Sequence, residues 1–183
     1  MVTSTSSSEN TLIGIIYLFG SEGSANTIQL EMTGGTVENT ATDGEAIMNS
    51  GTVTITGGTV SATSGIAVAS NSIGKIIVSG TAMITSANTD TALGTIIWLG
   101  DAETVTAGGL EITGGTVKNT SSTTGNTIRN DSPGTVSISG GTVSISGGTV
   151  SKAGDGNYAV YKGGSGEITI GAGATIVGNK YGM

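Results

Sequence analysis

The chemistry open to this chain rests on 13 carboxylates, six Lys or Arg side chains and four tyrosines, with no His and no Cys. Without His, a His-based catalytic triad, a His metal site and a His pH switch are excluded. Without Cys there is neither thiolate chemistry nor a disulfide framework. Carboxylates alone could still hydrolyse a glycoside, which takes two of them about 5–10 Å apart. Glu31 and Glu111 share the outward side of equivalent strands, in the row Glu31, Thr54, Ile77, Glu111, Ser137 and Thr169, but not in adjacent repeats. The acidic residues are therefore expected to be solvated surface charges. Asn130-Asp131 and Asp155-Gly-Asn157 offer oxygen ligands in turn-like segments. Neither follows an EF-hand or a glycine-rich calcium nonapeptide, and ordinary Asx turns account for both. No catalytic residue, metal or cofactor is predicted.

A second set of residues could bind rather than react. Arg129, Tyr158 and Tyr161 could together stack on a sugar and hydrogen-bond to it. Met48 and Ile97 join them on one outward column if Ile47, Val68, Ile96, Ile128 and Val160 point inward. That column then reads Met48, Ala69, Ile97, Arg129 and Tyr161, beside the small residues Ala46, Ala67, Thr95, Thr127 and Ala159. Large apolar and aromatic side chains in a row suit a contact with a glycan, a partner or another copy of the chain. Cover by a loop, such as one inserted after Trp98, explains the row equally well. An outward Thr column (Thr36, Thr59, Thr81, Thr116, Thr149) suggests ice binding, but it is one Thr wide, and Thr simply favours strands.

The elements that would position these groups come from an internal repeat. An apolar-Thr-Gly-Gly-Thr-Val phrase occurs as Met32-Thr-Gly-Gly-Thr-Val37, Ile55-Thr-Gly-Gly-Thr-Val60 and Ile112-Thr-Gly-Gly-Thr-Val117. With Ser in place of the first Thr it returns twice, at Ile138 to Val143 and at Ile145 to Val150. Gly34, Gly57 and Gly80 are 23 residues apart, whereas Gly80 and Gly114 are 34 apart, which places an inserted loop within 97–108. The unit at 51–73 divides into three short strands. Thr52-Val-Thr-Ile-Thr56 alternates, Gly57-Gly58 turns the chain, Thr59-Val60 opens a second strand, and Ile66-Ala-Val-Ala-Ser70 is a third. Alternation over four to six residues marks half-buried strands, which bury their apolar face only by stacking on like strands. The inward set includes Met32, Val37, Val53, Ile55, Val60, Val78, Ile112, Val117, Ile138, Val150, Ile168 and Ile170. Asn49 and Asn130, with Asn71 nearby, are placed to form an Asn ladder at one corner.

Phrases such as Gly-Thr-Val-Thr-Ile-Thr-Gly-Gly-Thr-Val-Ser-Ala at 51–62, preceded by the strand Ala46-Ile-Met-Asn49, resemble the degenerate repeats of bacterial surface proteins with a right-handed parallel β-helix. The broader fold is that of pectate lyases and polysaccharide-binding β-helix proteins, and the resemblance covers about residues 27 to 177. It implies an all-β, right-handed parallel β-helix (a β-solenoid) with three short strands per coil and about seven coils, a rod roughly 35 Å long. It also implies an extracellular or cell-surface location. Pectate lyases use clustered Asp with calcium and a basic residue, and no such cluster is present, so no catalytic residue carries over.

The expected organisation is an N-terminal segment, 1–26, followed by repeats over 27–183. The apolar run Leu12, Ile13, Ile15, Ile16, Tyr17, Leu18 and Phe19 is expected to cap the first coil or to pair with a neighbouring subunit. It spans eight residues, too short for a membrane helix of about 20. Glu9 and the lack of a preceding Lys or Arg make it a poor signal peptide, so any export signal is expected to have been removed. The net charge of −7 argues against nucleic acid. The expected function is a non-catalytic structural module or adhesin that self-assembles end to end. A polysaccharide-binding module is the alternative, and a polysaccharide lyase or an ice-binding protein is less favoured.

Overall fold

A computed structural model describes residues 1–4, 14–18, 29–70, 75–90, 97–99, 109–145, 158–162 and 167–177. The protein is all-β, and every strand pairing among the described residues is parallel. The strands fall into three columns. The first stacks β3 (Gln29–Met32), β6 (Thr52–Ile55), β9 (Lys75–Val78), the start of β12 (Gly109–Asn119), the start of β14 (Thr135–Ile145) and β16 (Ile168–Ile170). The second stacks β1 (Val2–Ser4), β4 (Thr36–Asn39), β7 (Thr59–Ala62), β10 (Met83–Ser86), the ends of β12 and β14, and β17 (Thr175–Val177). β12 and β14 run through both columns, so these merge into one strongly curled 11-stranded sheet. The third column is a separate six-stranded sheet of β2 (Gly14–Leu18), β5 (Glu45–Asn49), β8 (Val68–Ser70), β11 (Ile97–Leu99), β13 (Ile128–Asn130) and β15 (Val160–Lys162).

The corner between the first two columns is built on Gly-Gly. Gly35, Gly58, Gly115 and Gly141 all have φ between 77° and 81°, where a side chain is strained. Space is short as well: a Cβ on Gly58 would lie 2.5 Å from the carbonyl oxygen of Gly35 in the preceding repeat. Successive corners therefore touch backbone to backbone, which accounts for the persistence of the phrase.

Alternation within each strand sends one face into a common core. Val53, Ile55, Val60, Ile76, Val78, Ile84, Ile112, Val117, Ile128, Ile138 and Val143 are all fully buried there. Each such side chain contributes about 1.5–3 kcal/mol by leaving water. Three sequence expectations need correction. Ile97, not Ile96, stacks between Val68 and Ile128. Val143 occupies the register position opposite Val117, so the first copy of the doubled phrase completes the repeat, while Val150 lies outside the described residues. Ile66 belongs to a separate small cluster with Met48 and Ala69.

The lengthened repeat also differs from expectation. Thr59 and Val68 are separated by nine residues, but their register partners Met83 and Ile97 by 14. Val68 and Lys75 are separated by seven, and their partners Ile97 and Gly109 by 12. The extra residues are thus divided between the two sides of β11 instead of lying only after it.

Candidate ligand-contact surface

The corners that flank the third column are held by buried asparagines. Asn49 Oδ1 accepts the N–H of Gly51 at 2.7 Å, and its Nδ2 donates to the carbonyls of Gly51 and Lys75 at 2.9 and 3.2 Å. Asn130 repeats the pattern with the N–H of Ser132 (2.8 Å) and the carbonyl of Gly134 (2.6 Å). Both asparagines thus bond to turn backbone as expected, but Ser70 and Leu99 stand between them in the register, so they form no continuous ladder; Asn71 lies outside the described residues. A second set was missed. Asn39 accepts from Ala41 at 2.9 Å and donates to Glu45 at 2.8 Å, and Asn119 accepts from Ser121 at 2.8 Å and donates to Asn126 at 2.9 Å. The signal was available in the sequence, because Asn39 and Asn119 both end the Gly-Gly-Thr-Val strand two residues after Val. Each Asn meets the backbone groups of a turn that buried polar atoms must find.

Next to the row Ile16, Ile47, Val68, Ile97, Ile128 and Val160, the register of the third column sets Tyr17, Met48, Ala69, Trp98, Arg129 and Tyr161 opposite one another. Of the proposed contact residues, Ile97 is therefore in the core and not on this surface. The sequence Ile96-Ile97 offers either face to the core, and a slip of one residue inverts a strand. Met48 is only 1% exposed, so it too is corrected from a surface contact to a covered residue, packed with Ile66 and Ala69. The small residues Ala46 and Ala67 join the main core, and Thr127 is buried with its hydroxyl donating to the carbonyl of Ser144 at 2.8 Å.

Arg129, Tyr158 and Tyr161 do come together. The Arg129 guanidinium carbon lies 4.9 Å from the centre of the Tyr161 ring, within cation–π range. The Tyr158 and Tyr161 rings are 5.5 Å apart and inclined at 38°, an ordinary aromatic pair. Arg129 Nε also meets Asp131 Oδ2 at 2.5 Å, so Asp131 serves this cluster as well as the turn its sequence suggests. Arg129, Asp131 and Tyr161 are half-buried and Tyr158 is 39% exposed.

At the other end of the column, β2 pairs in parallel with β5, and Ile15, Ile16 and Leu18 pack against the core. Tyr17 points away and is exposed. Leu12, Ile13 and Phe19 lie outside the described residues. The 1–26 segment also supplies β1, paired with β4, so its described strands extend both sheets.

The remaining candidates separate. Glu31, Thr54, Ile77 and Glu111 stack in that order, which sets the two carboxylates about 14 Å apart at the usual strand spacing. Glu111 forms a 3.1 Å ion pair with Lys75. Asn130 and Asp131 are engaged by the bonds already described, and Asp155 and Asn157 lie outside the described residues. Among the described residues no three His, Cys, Asp or Glu side chains converge on a metal position, and no helix is long and apolar enough to cross a membrane. The Thr column is interrupted: its register is Thr36, Thr59, Met83, Thr116, Thr142 and Thr175, with Met83 exposed and Thr81 not part of it, while Thr149 lies outside the described residues. No protein-family model, curated protein or solved structure matches the chain.

Proposed function

We propose that the curled sheet and the six-stranded sheet are the walls of one right-handed parallel β-helix, and that the chain is a non-catalytic structural or adhesive module that associates with copies of itself through its ends. Three strand columns visited in rotation support the helical path, and the general preference for right-handed crossovers supports its hand. A bacterial exterior is the location implied by the repeat resemblance.

One observation carries self-association. Ile168 and Ile170 stand in register with the core residues Val136 and Ile138, yet they are 36% and 56% exposed. At the opposite end, Val2 is the register partner of buried Val37 and is 50% exposed. Among the described residues β1 pairs only with β4 and β16 only with β14, and a strand edge with exposed apolar positions templates a further strand. Joining unlike ends is a heterologous contact, which grows filaments.

Negative-stain electron microscopy with light scattering on the same sample tests this. Filaments or a ladder of oligomers are expected, collapsing to the 17.8 kDa chain when Ile168 and Ile170 are both replaced by Lys. A wild-type chain that stays monomeric at every concentration overturns the reading.

A further inference from the structure

We propose that Arg129, Asp131, Tyr158 and Tyr161 form a binding site for a neutral polysaccharide. The inference stands on the six-stranded sheet and the residues beside its β13 and β15, and it holds whether or not copies of the chain associate.

The site joins two segments about 30 residues apart, and its most exposed member is held in place. The Tyr158 N–H donates to Asn126 Oδ1 at 3.0 Å, and its carbonyl accepts the N–H of Thr127 at 3.0 Å. Both backbone groups of Tyr158 are thus bound to the preceding repeat, which fixes the point from which its ring projects and lowers the ordering cost of binding. Tyr161 is set by the register of β15 on β13 and by the guanidinium beside its ring.

The chemistry fits a sugar with an uncharged rim. A pyranose has an apolar C–H face, which the exposed ring of Tyr158 can carry, and a rim of hydroxyls that both donate and accept. Arg129 supplies only donors, and ionised Asp131 only acceptors. Held together at 2.5 Å, they present both kinds side by side. The pair leaves no local excess of positive charge, and the chain as a whole carries −7. A polyuronate would meet repulsion where a neutral glycan would not. A protein partner is less well served: four side chains fall far short of the roughly 800 Å² per partner of a stable interface.

The test is affinity gel electrophoresis of the full chain in hydroxyethylcellulose, soluble starch, mannan and polygalacturonate. Retardation by at least one neutral polymer is expected, with none by polygalacturonate. Tyr158→Ala is expected to weaken retention at least tenfold while circular dichroism and the unfolding midpoint stay unchanged. Arg129→Gln tests the polar half in the same way, and Met83→Ser, at an exposed position on the second column, is expected to bind as wild type. Absence of retardation by all three neutral polymers overturns the proposal, as does equal retardation of wild type and both site variants. Retardation by polygalacturonate alone overturns the neutral class. Tyr158-dependent self-association without polysaccharide binding assigns the cluster to a contact between copies and also overturns it.

Discussion

Asn49 donates from its side-chain amide to the carbonyl of Lys75, 26 residues further along the chain and one strand further up the stack. The same side chain closes its own turn through the N–H of Gly51. One residue thus ties the exit of the third column to the first strands above it. Truncating it would strand buried backbone groups, each costing about 1–3 kcal/mol. Asn49→Ala is expected to lower stability by about 2–4 kcal/mol in urea denaturation, and Thr54→Ala, on the outer face, by less than about 0.5 kcal/mol.

Neighbouring glycines of the corner should respond differently. A Cβ at Gly34 meets nothing within 4 Å, whereas at Gly58 it meets the Gly35 carbonyl at 2.5 Å on a backbone with φ of 81°. Gly34→Ala is expected to be neutral or slightly stabilising, through the less flexible unfolded chain. Gly58→Ala should cost more than about 2 kcal/mol, since left-handed strain of about 1–2 kcal/mol is added to the clash. Equal denaturation midpoints for the two variants would show that the corners do not stack.

The placement of Ile97 is open to the same measurement. It is fully buried between Val68 and Ile128, so Ile97→Ala is expected to cost about 2–5 kcal/mol. Met83→Ala, at an exposed strand position, should cost less than about 0.5 kcal/mol. A silent Ile97→Ala would return the column to the opposite register.

The Lys75–Glu111 pair makes a modest demand. Both side chains are more than two-fifths exposed, and water and salt screen such pairs. A double-mutant cycle with Lys75→Met and Glu111→Gln is expected to give a coupling below about 1 kcal/mol that falls as salt is raised.

Most of the local structure was legible in the sequence. Strict alternation at Thr52 to Thr56 marked a strand, Gly57-Gly58 marked a corner, and the 23-residue step put Val53 beneath Ile76. These features are local or periodic, and a strand's two faces are distinct whenever apolar and polar residues alternate. Parallel pairing followed from the recurrence of like residues at one spacing. The Asn corner of the third column was legible for the same reason, and the second Asn corner could have been.

What composition and spacing determined by themselves is thus the all-β architecture, its parallel stacking, the glycine corners and the absence of His and Cys chemistry. Tertiary structure alone decided between Ile96 and Ile97, and between the two copies of the doubled phrase. In both places the sequence offers equivalent apolar residues, and only the strands above and below select one. The meeting of Arg129 with Asp131, Tyr158 and Tyr161 was likewise settled in three dimensions. The register of β13 on β15 sets Arg129 beside Tyr161, and the bonds from Asn126 and Thr127 hold Tyr158 next to them. Contacts across about 30 residues depend on how intervening residues are accommodated, which no local pattern specifies.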